Sequence, residues 1–241
     1  MLSAGGMYAA WEAGVWKAIA SHVQPDLVVG ASAGAWNGWA IAGGATPEQV
    51  VAEWLDESLA RIRVLRPAPL CDKGRELWSQ FQPRIPFGLT VVELPWLRAR
   101  LVQWPEITWR HMAATCSIPA LFPPVTIDGR QYVDGGLKGA LPLWAAAEMG
   151  ATRAIALNCL TGWPFRVLRT VIAPPGPTTP LEVIAIEPSE QLGSLRSALY
   201  WSRKNAERWI ELGERDGIRA LPALTAATSS ADPSVRQPSR P

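Results

Sequence analysis

Val28-Val29-Gly30-Ala31-Ser32-Ala33-Gly34 is the stretch on which the reading of this chain turns. It spells G-x-S-x-G between a short apolar run and a helix of small residues. Pro25 to Val29 reads as a buried strand, because a proline introduces Leu27 and two β-branched valines. Ala35 to Ala42 is small and apolar and closes on Gly43-Gly44, a usual helix stop. A strand, a sharp turn and a helix with serine at the apex make a nucleophile elbow. Such a serine sits in strained backbone, and side chains at positions 30 and 34 would crowd the strand and helix, which accounts for Gly30 and Gly34. The helix that follows points its first N–H groups at the serine, where an oxyanion would develop. Ser32 is therefore the candidate nucleophile. A bare G-x-S-x-G is common by chance; the strand before it and the helix after it set this one apart.

One βα unit upstream, Ala4-Gly5-Gly6-Met7 forms a glycine turn ahead of a helix from Ala9 to His22. Trp11, Val15, Ala18, Ile19 and His22 fall on one face of that helix. A glycine turn at a helix N-terminus collects backbone N–H groups around an anion, so this turn is the candidate oxyanion loop. Met1-Leu2-Ser3 is too short for a full strand. Downstream, Thr46-Pro47-Glu48-Gln49 is a capping box with proline at the first helical position.

Residues 70–109 mix Arg84, Arg98 and Arg100 with Trp78, Trp96 and Trp104, and prolines 83, 86 and 95 interrupt them. They read as a cap or substrate-entry segment that fits no regular core element. Arginine and tryptophan together suit a lipid interface, where the rings settle at head-group level, so residues 75–109 are the expected lipid-facing rim.

Thr108 to Ser117 reads as a helix. Val125-Thr126-Ile127 and Gln131-Tyr132-Val133 flank Asp128-Gly129, a hairpin signal. Pro142 opens a helix to Met149, Arg153 to Asn158 reads as a strand, 171–180 as a proline-rich loop and Leu181 to Ile186 as a last strand. Leu195 to Gly213 reads as one long helix, and from Thr225 the composition suits a disordered tail. Strands alternating with helices give an α/β domain with a largely parallel sheet.

The chain's 241 residues suffice for one such domain, and a net charge of +2 argues against nucleic-acid binding. Cys71, Cys116 and Cys159 are too widely spaced for a zinc site and odd in number, which suits reduced thiols in the cytoplasm. No His/Cys/Asp cluster has ligand spacing, so neither a metal nor another cofactor is expected. No signal peptide or bilayer-spanning apolar stretch is visible. Thirteen Trp against 4 Phe and 3 Tyr is unusual, since tryptophan serves both cores and membrane interfaces.

A serine nucleophile needs a base. His22 and His111 both precede the acidic residues of the second half, an order unlike the usual Ser, Asp or Glu, His succession. Asp134 lies between a hairpin strand and Gly135-Gly136, which let backbone approach closely and leave the carboxylate uncovered. An aspartate in direct reach of a serine hydroxyl can act as base without an imidazole. An ordinary Asp-Gly turn is the competing reading.

Taken together, the turn and helix of Leu2 to Val15, the elbow of Gly30 to Gly34, Ile118-Pro119-Ala120-Leu121-Phe122-Pro123-Pro124 and Asp134-Gly135-Gly136 resemble the patatin-like phospholipases in kind and order. The resemblance implies a three-layer α/β/α fold with a mostly parallel central sheet. It implies one acyl hydrolase domain over residues 1–224, with 225–241 as tail, acting on lipid acyl esters without a metal. It casts Ser32 as nucleophile, Asp134 as base, and Gly5 and Gly6 as the oxyanion hole. Peripheral contact with membrane lipid is the expected partnership. The chain departs from the family pattern at Ala4, in the first glycine position of the loop, and at Tyr8, in its arginine position. These departures keep a non-enzymatic lipid-binding protein open, beside a hydrolase of short esters or thioesters using the same dyad.

Overall fold

The computed structural model describes residues 1–161, 175–177 and 179–229. Residues 171–174 and 178 of the expected loop at 171–180 lie outside them. The sheet is built around β1 (Val28–Ala31) and β2 (Phe87–Leu94), which pair in parallel from Val28 opposite Phe87 to Ala31 opposite Thr90. On the far side of β1, Leu2 bridges Gly30 and Leu157 in parallel, joining β1 to β6 (Arg153–Leu157), which pairs in parallel with β7 (Glu182–Ile186). The centre of the sheet is thus parallel, and Met1-Leu2-Ser3 contributes bridges rather than a strand, as its length predicts.

Beyond β2 the pairing turns antiparallel. β3 (Arg98–Gln103) runs along one edge of β2, and β5 (Arg130–Asp134) shares the other edge with β1 and pairs with β4 (Val125–Ile127). The β4–β5 turn is the expected tight hairpin, with Asp128 and Gly129 both at positive φ.

Helices cover both faces. Phe87, Leu89 and Val91 alternate into the larger core with Val28, against α1 (Ala9–Ile19), α2 (Ala33–Ala42), α3 (Pro47–Leu55), α4 (Pro67–Gln80) and α5 (Trp109–Ala114). Val29 points the other way, into a smaller cluster with Trp144, Ala145 and Ala146 of α6 (Leu143–Glu148). This is the three-layer arrangement, and it follows from the period of two along each strand. The capping box of α3 is made as expected: Thr46 Oγ1 accepts from the Gln49 N–H and Gln49 Oε1 from the Thr46 N–H.

Three expectations are corrected. The expected irregular segment at 70–109 contains β2, the buried strand beside the elbow, and continues α4, which Pro67 opens. Its tryptophans and arginines are largely structural. The Trp78 indole donates to the Ile107 carbonyl, Trp104 stacks edge-on against the buried Trp39, Arg100 pairs with Glu93, and the Arg84 guanidinium packs over Gly44. Only Trp96, at the β2–β3 turn, stands clear of the protein among these three tryptophans. The expected long helix from Leu195 is two helices, α7 (Leu195–Leu199) and α8 (Arg203–Ser229). The break falls at Tyr200, in extended backbone, and lets the Trp201 indole donate to the Trp54 carbonyl. Finally, Thr225 continues α8 instead of opening the tail; residues 230–241 lie outside the described ones.

The tryptophan surplus serves the core. Trp11, Trp39 and Trp209 are fully buried, and their indole N–H groups donate to Asp216, the Leu77 carbonyl and the Leu192 carbonyl. A large apolar ring with one satisfied donor can peg a helix in place at little desolvation cost.

Candidate active site

β2 acts as the ruler for the site. Along one of its edges, Ala31 of β1 lies opposite Thr90, and the next position, Val91, is opposite Asp134 of β5. β1 runs parallel to β2 and β5 antiparallel, so the two strands meet end to end at their C-termini. Ser32 follows Ala31 directly, and the register alone brings it to Asp134. The Ser32 hydroxyl donates to Asp134 Oδ2 at 2.6 Å, and Asp134 Oδ1 accepts the Gly136 N–H at 2.7 Å.

The elbow has the expected strain. Ser32 sits at φ 52°, ψ −133°, between β1 and α2. A Cβ on Gly30 would stand 2.5 Å from the Ala35 Cα, and one on Gly34 2.3 Å from the Ser3 carbonyl oxygen, so both must be glycine for strand, turn and helix to close up. Gly135 is equally constrained, against the Thr90 carbonyl, and a Cβ on Gly136 would meet the Ala4 methyl.

Thr115, fully buried just past α5, holds the elbow from the side. Its hydroxyl accepts the Ser32 N–H at 2.9 Å and donates to the Thr90 carbonyl at 2.8 Å. One side chain thus ties the serine's backbone to the ruler strand. This residue was not singled out from the sequence, where nothing local marks it; its partners are distant in the chain.

Asp134 is buried, and burial pushes its carboxyl up to about 7, against the opposing hydrogen bonds from Ser32 and Gly136. A carboxyl so held exchanges its proton near neutral pH. Neither histidine lines the cleft. His111 Nδ1 accepts the Thr108 N–H at 3.1 Å at the start of α5, and His22 is exposed past the end of α1. Burial, then the nearby Asp134, push the Cys116 thiol well above its ordinary value, so it stays protonated beside the serine. Among the described residues no three His, Cys, Asp or Glu side chains gather as a metal site requires.

The glycine loop and the elbow face one cleft. Gly6, Met7, Ser32 and Ala33 line it with Trp36, Trp54, Ile62, Leu70, Cys116, Ile118, Phe122, Ala198 and Leu199, a wall that is apolar almost throughout. Gly6 has φ +55° and packs its Cα against the Ala198 carbonyl; Gly5 packs against Cys159. Ala33 opens α2, so its N–H has no intrahelical acceptor.

The two departures in the loop are absorbed by the fold. Ala4 is buried and its N–H donates to the Ala140 carbonyl at 2.7 Å. Tyr8, which burial pushes up to about 12, donates its hydroxyl to the Ser194 carbonyl at 2.6 Å and meets Trp209 edge-on at 5.0 Å. It clamps the glycine loop to the segment that carries α7. Behind the loop, Glu12 is wholly buried, accepts from the Ser3 N–H and hydroxyl and from Asn37 Nδ2, and is pushed up by burial to about 8.

The sequence model described as patatin-like phospholipase matches residues 1–105 and 104–147 of this chain. No curated protein matches it. Among solved structures the fold is similar to that of VipD from Legionella pneumophila, with a TM-score of 0.52 and 10% identity over 92% of this chain and 66% of that one. The type III effector protein ExoU matches with a TM-score of 0.45 and 11% identity over 92% of this chain and 52% of that one. The chain therefore spans about two thirds of the length of the first and half of the second. No helix among the described residues is long and apolar enough to cross a membrane.

Proposed function

Because this chain belongs to the patatin-like phospholipase family, we propose that it hydrolyses acyl esters of lipids through a Ser32–Asp134 dyad. The observation that carries this reading is the 2.6 Å bond to a buried carboxylate from the hydroxyl of a serine that lines an apolar cleft.

Ser32 Oγ attacks the acyl carbonyl and passes its proton to Asp134 Oδ2. The carbonyl oxygen becomes an oxyanion, held by backbone N–H groups of Gly5 and Gly6 and by the Ala33 N–H at the start of α2. The intermediate collapses, the alcohol leaves with the proton from Asp134, and the acyl group stays on Ser32. Asp134, again ionised, takes a proton from water as the water attacks the acyl carbonyl, then returns it to Ser32 Oγ as the bond from the acyl carbon to Oγ breaks, and the free acid departs. The Gly136 N–H holds the second carboxylate oxygen, so Oδ2 stays aimed at the serine throughout. Trp36, Trp54, Leu70, Phe122 and Leu199 supply the apolar wall that suits an acyl chain.

The test is hydrolysis of a panel of phospholipids, neutral lipids and short soluble esters by the wild type beside Ser32→Ala. Release of fatty acid from a lipid, lost in the variant, supports the reading. Turnover of short esters alone points to a small-ester hydrolase. Silence on the whole panel points to a lipid-binding protein.

A further inference from the structure

The mouth of the cleft carries a feature that the chemistry leaves unused. Leu65 and Leu195 are 73% and 60% exposed, from parts of the chain 130 positions apart in number. Leu65 lies between the cleft-lining Ile62 and Leu70, and its N–H donates to the Leu121 carbonyl, beside the cleft-lining Phe122. It sits at the tip of a tight turn closed by a bridge between Arg63 and Arg66. Leu195 opens α7, and Ala198 and Leu199, three and four residues on, line the cleft; Leu195 extends that same helical face by one turn. Two exposed leucines thus flank one opening.

Arginines sit next to both leucines in the chain. Arg61, Arg63, Arg66 and Arg196 are all exposed, and none forms an ion pair among the described residues. Residues 58–71 contain no Asp or Glu. Apolar tips beside arginines that make no ion pair match a surface that is apolar within and anionic at its face.

We propose that this rim docks the protein on anionic membranes. Leu65 and Leu195 enter the acyl region, Arg61, Arg63, Arg66 and Arg196 meet lipid phosphates, and the mouth of the serine cleft opens onto the bilayer. The orientation is what the lipid hydrolase reading requires and rests on it; the docking itself does not.

The experiment measures binding of the full chain to phosphatidylcholine vesicles with and without phosphatidylglycerol, together with turnover of a soluble short-chain ester and thermal stability. The variants are Leu65→Asn, which suits the φ of +63° at that position, Leu195→Gln, and Arg61→Ala/Arg63→Ala/Arg66→Ala. Each leucine variant is expected to weaken binding about tenfold and the triple arginine variant more, with soluble ester turnover and stability kept. Wild-type binding should rise with anionic lipid and fall with salt. Trp96→Ala, on the β2–β3 turn, is the comparison and should change binding little. Unchanged binding in the folded leucine variants overturns the proposal, as does binding lost only in Trp96→Ala or binding indifferent to lipid charge. Absent vesicle binding with a wild-type dimer that the leucine substitutions dissolve also overturns it, in favour of self-association. Rim-dependent vesicle binding without hydrolysis of any ester leaves the docking standing and refutes the hydrolase reading.

Discussion

Ser32 and Asp134, 102 residues apart, share a 2.6 Å hydrogen bond because the residues that carry them lie at successive positions along one edge of β2. The pair is placed by sheet register rather than by flexible loops. A one-residue slip of β5 would turn the Asp134 side chain to the other face of the sheet. Rigid backbone on both sides holds the two oxygens in reach before any substrate arrives, which is the geometric demand of a dyad with no imidazole to bridge a gap.

The first prediction concerns pH. Asp134 must be ionised to take the serine's proton, and burial holds it at about 7. kcat/KM for a soluble ester should therefore rise with pH through a midpoint near 7 and level off above it. A profile flat from pH 5 to 8 would rule out Asp134 as the base.

Stability should move the opposite way. In the folded state Asp134 and Glu12 sit at about 7 and about 8, above their ordinary 3.8 and 4.5. Both hold a proton more tightly folded than unfolded, so their contribution is fully present below about pH 4 and is lost as pH rises through 7 and 8. The melting temperature should fall from about pH 4 to about pH 8 and level off above, and Asp134→Asn should flatten that fall, most of all below about pH 7. An identical slope in the variant would show that Asp134 does not titrate in this range.

Thr115 is predicted to position the nucleophile. Thr115→Val leaves the Ser32 N–H and the Thr90 carbonyl without their partner, at about 1–3 kcal/mol for each buried group. kcat for a short ester should drop on the order of tenfold or more with KM little changed, while Thr115→Ser restores both. A loss of stability with kcat intact would leave Thr115 a purely structural residue.

Gly6→Ala tests the loop. An alanine there must adopt φ +55° with its Cβ 2.3 Å from the Ala198 carbonyl oxygen, a strain of about 1–3 kcal/mol that moves either the loop or α7. The expected result is a fall in kcat on the order of a hundredfold, the size seen when an oxyanion donor is lost. Full activity would place the oxyanion donors elsewhere.

The residues that meet at the candidate site were legible because each sits in a short motif with its own local reason. Gly30 and Gly34 permit the Ser32 turn, and Gly135 lets Asp134 close against β2. The ruler strand itself was not legible. Phe87-Gly88-Leu89-Thr90-Val91-Val92-Glu93-Leu94 is an apolar, β-branched run, but Pro83, Pro86 and Pro95 bracket it and Arg and Trp flank it, so its surroundings spoke louder than its pattern. Those same tryptophans suggested a lipid interface, yet Trp78 donates its N–H to the Ile107 carbonyl and Trp104 packs edge-on against the buried Trp39, a choice that only tertiary packing decides. Thr115 was invisible for a related reason: its hydroxyl matters through partners 83 and 25 residues away. The break at Tyr200 left no glycine or proline to announce it.

The central claim is that Ser32 is the nucleophile and Asp134 its base, and mass spectrometry of the intact protein treated with a fluorophosphonate tests both at once. The account predicts a single adduct on Ser32, absent in Ser32→Ala, and formed far more slowly in Asp134→Asn although that variant is folded. An adduct mapped to another residue, or labelling of Asp134→Asn at the wild-type rate, would contradict it.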